Sequence, residues 1–124
     1  MVEAEVNELI SKQKYGEAVE RVVKDPELLV ITLKAFNIDT FLESGVLTSS
    51  DLMEVARSLS LGIQLVDDTP IALDWLKAIE TKLKFGFSDN HICLEIITNL
   101  ENYSGANLDA ISEIRDKFLA KQIQ

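Results

Sequence analysis

The chain's one histidine and one cysteine lie two residues apart, in His91-Ile92-Cys93. An imidazole beside a thiol can hold zinc or form a nucleophile–base pair, provided both side chains converge. Helical residues at i and i+2 point to different faces, and no third orienting residue accompanies this pair. Cys93 is therefore read as a core thiol in an apolar stretch, with no metal and no cofactor expected. Acid–base chemistry would need paired carboxylates. Asp67-Asp68 and Asp89 near Glu95 are the candidates, but Asp67-Asp68 precedes a helix start and reads as a capping cluster. The glycines are scattered, and neither GxGxxG nor GxxxxGK[ST] occurs, so no phosphate cradle is expected. Trp75 falls on the apolar stripe of a helix. Core is the expectation there, with an exposed anchor as the alternative. These residues together point to a chain without catalysis.

The elements that would position them are helical throughout, because apolar residues recur at spacings of three and four and no stretch alternates cleanly. A first helix is expected over about Glu3 to Gln13, with Val2, Val6, Leu9 and Ile10 on one face. A second runs from Tyr15 to Lys24 with its stripe at Tyr15, Ala18, Val19, Val22 and Val23. Asp25-Pro26 is a helix start, the carboxylate capping and the proline filling the first turn. The third helix, to Phe36, carries Leu33 and is apolar nearly all round, so it is expected at the centre. Ile38, Phe41 and Leu42 form a short helical turn ended by Gly45. Thr48-x-x-Asp51 resembles a capping box before a helix holding Leu52, Val55, Ala56, Leu59 and Ile63. Asp68 or Thr69 caps the next helix, which carries Pro70 in its first turn and Trp75, Leu76 and Ile79 in its stripe. Ser88 caps a helix to Asn102, and the last runs from Asn107 to Lys121. Trp75, Leu76, Leu33 and Leu59 are the expected structural core.

The fold class that follows is all-α: residues 1–124 as a single interaction domain of six to seven short antiparallel helices. Their paired rhythm suits stacking as an α-α superhelix, a short α-solenoid, with a compact orthogonal bundle as the alternative. A hydrophobic share of 47% against 27% charged residues argues for a globular chain over a disordered one. Apolar runs are only a few residues long, and the acidic start lacks the pattern of a signal peptide, so no membrane span is expected. A lone cysteine suits a reducing, intracellular compartment. A net charge of −9 repels phosphate and disfavours direct nucleic-acid binding; a basic or mixed protein partner fits better. Lys12, Lys14, Arg21 and Lys24 form a basic region that reads as a solvated face of two helices.

Several stretches resemble one family together and in order. They are ELISKQKYGEAVERVV, PELLVITLKAF, VLTSSDLMEVARSLSLGIQLVDDTPIALDWLKAI and FSDNHICLEII. The family is the C-terminal helical domain of the varicose/Hedls scaffolds, which enhance mRNA decapping. The matching features are Lys12, Lys14 and Tyr15 before Glu17-Ala18, the Leu47-Thr48-Ser49 cap before Leu52–Ile63, the Asp67/Asp68-Thr69 step, and Leu73, Trp75 and Leu76. Val46-Leu47-Thr48 stands where the family has Pro-Leu-Ser, and the match is weak after Leu100. The family's β-propeller and linker have no counterpart here, so the chain is expected to be a fragment or a short form. The resemblance implies a superhelix that docks the catalytic decapping subunit or its activators, with localisation in processing bodies and self-association as a further possibility. A similar rhythm near EAVERVVKDPELLVITLKAFN resembles the helical domain of the katanin regulatory subunit, which makes a cytoskeletal or trafficking adaptor the alternative.

Within either reading, the partner surface is expected around residues 36–52, where Phe36, Phe41, Leu42 and Leu47 exceed what a short connection needs. The alternative is that they simply cover the neck between helices. Arg57 and Lys77, on the polar sides of adjacent helices, are the expected rim contacts.

Overall fold

The computed structural model describes residues 2–45, 47–63, 69–83, 85–103 and 108–121. These residues form eight α-helices, one 3-10 turn and no strand. The Asp67-Asp68 pair, Val46, the side chain of Val2 and the start of the last helix at Asn107 lie outside the described residues.

Helix α1 (Val2–Ser11) ends on Gln13, whose φ of 61° is left-handed. The Lys14 amide then donates to the Leu9 carbonyl at 2.8 Å and the Gln13 amide to Ile10 at 3.0 Å. This pair of bonds closes the helix end as a Schellman turn, with glutamine in the place that glycine usually takes. The sharp reversal starts α2 (Tyr15–Val22) at once, and α1 packs along it. Asp25 caps α3 (Pro26–Leu33) by accepting from the Leu28 amide at 3.3 Å, and Pro26 supplies a preset φ in the first turn. Asn37 caps α4 (Ile38–Glu43) by accepting from Thr40 at 3.0 Å, so the expected helical turn is a helix in its own right. It ends near Gly45, whose φ of 71° suits a residue without Cβ.

The reciprocal box at α5 (Ser49–Gly62) is complete. Asp51 N–H donates to Thr48 Oγ1 at 3.2 Å, and Thr48 N–H donates to the Asp51 carboxylate at 3.1 Å. Helix α6 (Thr69–Lys82) follows, then the 3-10 turn Phe87–Asp89, α7 (Asn90–Glu101) and α8 (Leu108–Lys121). Ser88 does not cap α7, because it lies inside the 3-10 turn. Asp89 holds the cap position instead, and its carboxylate accepts from the Gly86 amide at 3.0 Å.

After α1 on α2 and α2 on α3, the packing skips: α3 lies on α5, α4 on α6, α5 on α7 and α6 on α8. Helix α5 also meets α6, and α7 meets α8. The central helix is thus α5, not α3. The reason is side-chain size. Ala56, Ser58, Ser60 and Gly62 let neighbours approach α5, whereas Ile31 leaves one side of α3 exposed at 55%. At Gly62 a Cβ would stand 2.0 Å from the Cβ of Pro26, so α3 comes close to α5 there. Trp75, Leu76, Leu33 and Leu59 are 2%, 0%, 1% and 1% exposed. Burying each aliphatic one of these contributes roughly 1.5–3 kcal/mol. At the far end, Lys121 of α8 donates to the Leu83 carbonyl at 2.9 Å and lies 3.7 Å from the buried Glu80. A cation there satisfies an unpaired carbonyl at the end of α6.

Candidate functional site

Four aromatic rings from three helices and one connection form a continuous series. Tyr15 opens α2, and its ring meets that of Phe36 edge-on at 5.1 Å. Phe36, in the link between α3 and α4, stacks on Phe41 of α4 at 4.7 Å. Phe41 meets Trp75 of α6 edge-on at 5.7 Å. Such offset and edge-on pairs are the favoured ring geometries, adding about 0.5–1.5 kcal/mol each beyond burial. The series runs from the surface into the core: Tyr15 and Phe36 are half-buried, Phe41 is 5% exposed and Trp75 is 2%. Its outer end floors a notch of about 220 Å³, edged by the uncharged side chains of Asn37, Thr40 and Ser44. On the same short helix, Asp39 and Glu43 stand exposed one turn apart.

A second cleft, of about 480 Å³, lies where α5 and α7 meet the end of α2. Arg57 lies in it, paired with Glu54 on its own helix and with Glu95 of α7 at 3.3 Å. Asn99 donates to Ser60 Oγ at 3.1 Å, and Ser60 donates to the Arg57 carbonyl at 2.8 Å. Leu61 and Val23 give the cleft an apolar end. Ser58 Oγ is buried on this side without a hydrogen-bond partner.

The residues singled out from sequence as partner contacts therefore do not form one surface. Phe36 and Phe41 belong to the notch, and Arg57 to the other cleft. Lys77 is exposed on α6 and lines neither. Phe41 is too buried to be a contact itself; it supports Phe36 from below and rests on Trp75. Leu42 and Leu47 are half-buried against the core. Tyr15 is the member of the site that linear reading missed. Its place on the α2 stripe gave it a core role, and only the α1–α2 reversal brings it beside Phe36.

The candidates for chemistry separate as well. Cys93 is fully buried with its thiol 3.5 Å from the Phe118 carbonyl, while His91 is exposed. Burial pushes the Cys93 thiol up, against a weaker opposing pull from the Lys121 charge. Asp89 bonds to Gly86 and Glu95 to Arg57, so these two carboxylates are not a pair. Among the described residues, no three His, Cys, Asp or Glu side chains are grouped to hold a metal ion, and no helix is long and apolar enough to cross a membrane.

Comparison of the chain with family models, curated proteins and solved structures returns no match.

Proposed function

We propose that the chain is a non-catalytic protein-docking domain of the kind found at the C-terminus of the decapping-enhancer scaffolds, acting in the cytoplasm and in processing bodies. The observation that carries this reading is the order of packing. Each helix from α3 to α6 lies on the helix two places along, a pattern that suits helix pairs stacked in an αα superhelix. That is the architecture the resemblance implies. Two local features support it. The capped leucine-rich helix of the family corresponds to α5 behind its reciprocal Thr48–Asp51 box. The Leu-x-Trp-Leu core corresponds to Leu73, Trp75 and Leu76, all buried in α6. A thiol that is buried and held protonated is a poor nucleophile, in keeping with a docking role.

The test uses the purified chain as bait for the purified catalytic decapping subunit and each activator, alongside a fluorescent fusion in cells. Saturable binding of at least one factor and foci coincident with processing bodies are expected. Binding to none of them, with a diffuse fusion, would overturn the reading. Capture of tubulin-associated proteins instead would favour the cytoskeletal adaptor.

A further inference from the structure

We propose that the aromatic notch takes a proline-rich segment of a protein partner in the polyproline II form. One proline ring enters the corner between Tyr15 and Phe36, and the segment's carbonyls accept from Tyr15, Asn37 and Thr40. The inference deepens the docking reading and rests on it.

The lining decides the occupant. Every side chain that lines the notch is uncharged. A carboxylate would find no cation there, in a chain of net charge −9, and a basic side chain would find no carboxylate. Nucleic-acid phosphates meet the same want of cations. An apolar group enters without stripping water from a charge. What the lining does offer is donors. Asn37 spends its Oδ1 on the Thr40 amide, so the Nδ2 hydrogens are what its side chain has left to give. Among the described residues, nothing accepts from that Nδ2, from the Tyr15 phenol or from the Thr40 hydroxyl. Ser44, by contrast, donates its hydroxyl to the Phe41 carbonyl.

Backbone chemistry narrows the occupant further. A helical partner keeps its carbonyls bonded within itself. A strand needs a sheet edge to pair with, and the described residues form no strand. A polyproline II segment has no internal hydrogen bonds, so its carbonyls are free, and its prolines carry no N–H. It presents acceptors to the three donors and leaves no proline donor dry in the notch. Shape agrees. The Tyr15 and Phe36 rings stand at 74° to each other, so they wall a corner and not a flat shelf. At about 220 Å³ the notch is smaller than the roughly 300–1,000 Å³ of small-molecule pockets, and it suits one side-chain ring with its flanking backbone. The fixed φ of proline also lowers the cost of ordering the segment on binding.

The probes are a fluorescent Ser-Pro-Pro-Pro-Pro-Ser peptide and its counterpart with alanine for every proline, followed by anisotropy and by amide chemical shifts of the labelled protein. The proline peptide is expected to bind saturably with shifts at Phe36, Asn37 and Thr40. Its affinity should hold as salt rises, because no charge lines the notch. The alanine peptide should bind about tenfold more weakly or worse. Tyr15→Phe and Asn37→Asp each delete donors alone: the first keeps the ring, and the second keeps an oxygen that caps α4. Their double variant should keep its thermal midpoint and lose about tenfold or more in affinity. Thr40→Arg, which fills the notch and removes no core atom, should abolish binding while the helical circular dichroism is kept. The inference is overturned by equal binding of the alanine peptide, by no binding of either peptide, by shifts confined to the Arg57 cleft, by full affinity in the double variant, or by an affinity that collapses with salt. Self-association abolished by Thr40→Arg would make a second copy the occupant and overturn it too. A decapping factor captured equally by wild type and Thr40→Arg sinks this inference and leaves the docking reading standing. Proline-peptide binding at the notch without capture of any decapping factor does the reverse.

Discussion

The cleft at Arg57 is more than twice the size of the notch at Phe36, yet it offers a partner less. Its guanidinium holds Glu54 and Glu95, and its amide and hydroxyl groups are largely bonded to one another. A ligand entering there must displace existing interactions. The notch is edged by uncharged side chains, and its two outer rings, Tyr15 and Phe36, are half-buried. What the polar groups of each are already bonded to separates the two more than volume does.

The comparison can be broken most severely from beneath. Trp75 supports the aromatic series, and Trp75→Ala should cost about 3–5 kcal/mol, a large part of the roughly 5–15 kcal/mol that holds such domains together. Chemical denaturation should show a sharply lowered midpoint or no folded baseline. An unchanged midpoint with lost partner binding would make Trp75 a surface anchor. On the side of the larger cleft, Gly62→Ala drives a Cβ into Pro26 and should cost about 1–3 kcal/mol by overpacking. Because Pro26 adjoins the end of α2, amide shifts should concentrate around Val23 and Lys24 while Phe36 and Thr40 stay in place.

Gln13→Gly should move stability the other way. Left-handed strain of about 1–2 kcal/mol is relieved, against about 0.5–1 kcal/mol of added unfolded-state freedom, leaving a gain of about 0–1.5 kcal/mol. The gain should appear as a higher thermal midpoint, with Tyr15 unmoved beside Phe36. Arg57→Ala is expected to have the smallest effect on stability. Its side chain is 36% exposed and its pairs are screened by solvent, so the loss should stay below about 1 kcal/mol. It sharpens the comparison at the cleft: with Glu54 and Glu95 released, a short basic peptide should gain weak, salt-sensitive affinity there, which titration of the variant against wild type checks.

Local signals were the most legible part of the sequence. Asp25 with Pro26, and Thr48 with Asp51, place two helix starts because a cap uses residues within one turn of each other. The apolar stripe of α2 follows from period alone. What linear reading lost depends on contacts across the chain. Ile31 looks like core on a helix apolar all round, but the small residues of α5 draw the neighbours to α5 instead. Ser88 has the right type for a cap, but the tight bond between Gly86 and Asp89 moves the helix start onward. Phe36 and Arg57 lie 21 positions apart in sequence. Nothing in their spacing tells that α5 turns the guanidinium toward α7, away from the rings.

The meeting of Gly62 with Pro26 ties what one position can hold to what stands at the other. An alanine at 62 collides first with the Cβ of residue 26 and then with its Cγ, at 2.0 and 2.7 Å. Replacing the proline by alanine removes only the second obstacle. Glycine at 26 removes both, at the cost of the preset helix start. The two positions are therefore genetically coupled. Glycine at 26 should therefore offset part of the cost of an alanine at 62, so that the two substitutions are less than additive.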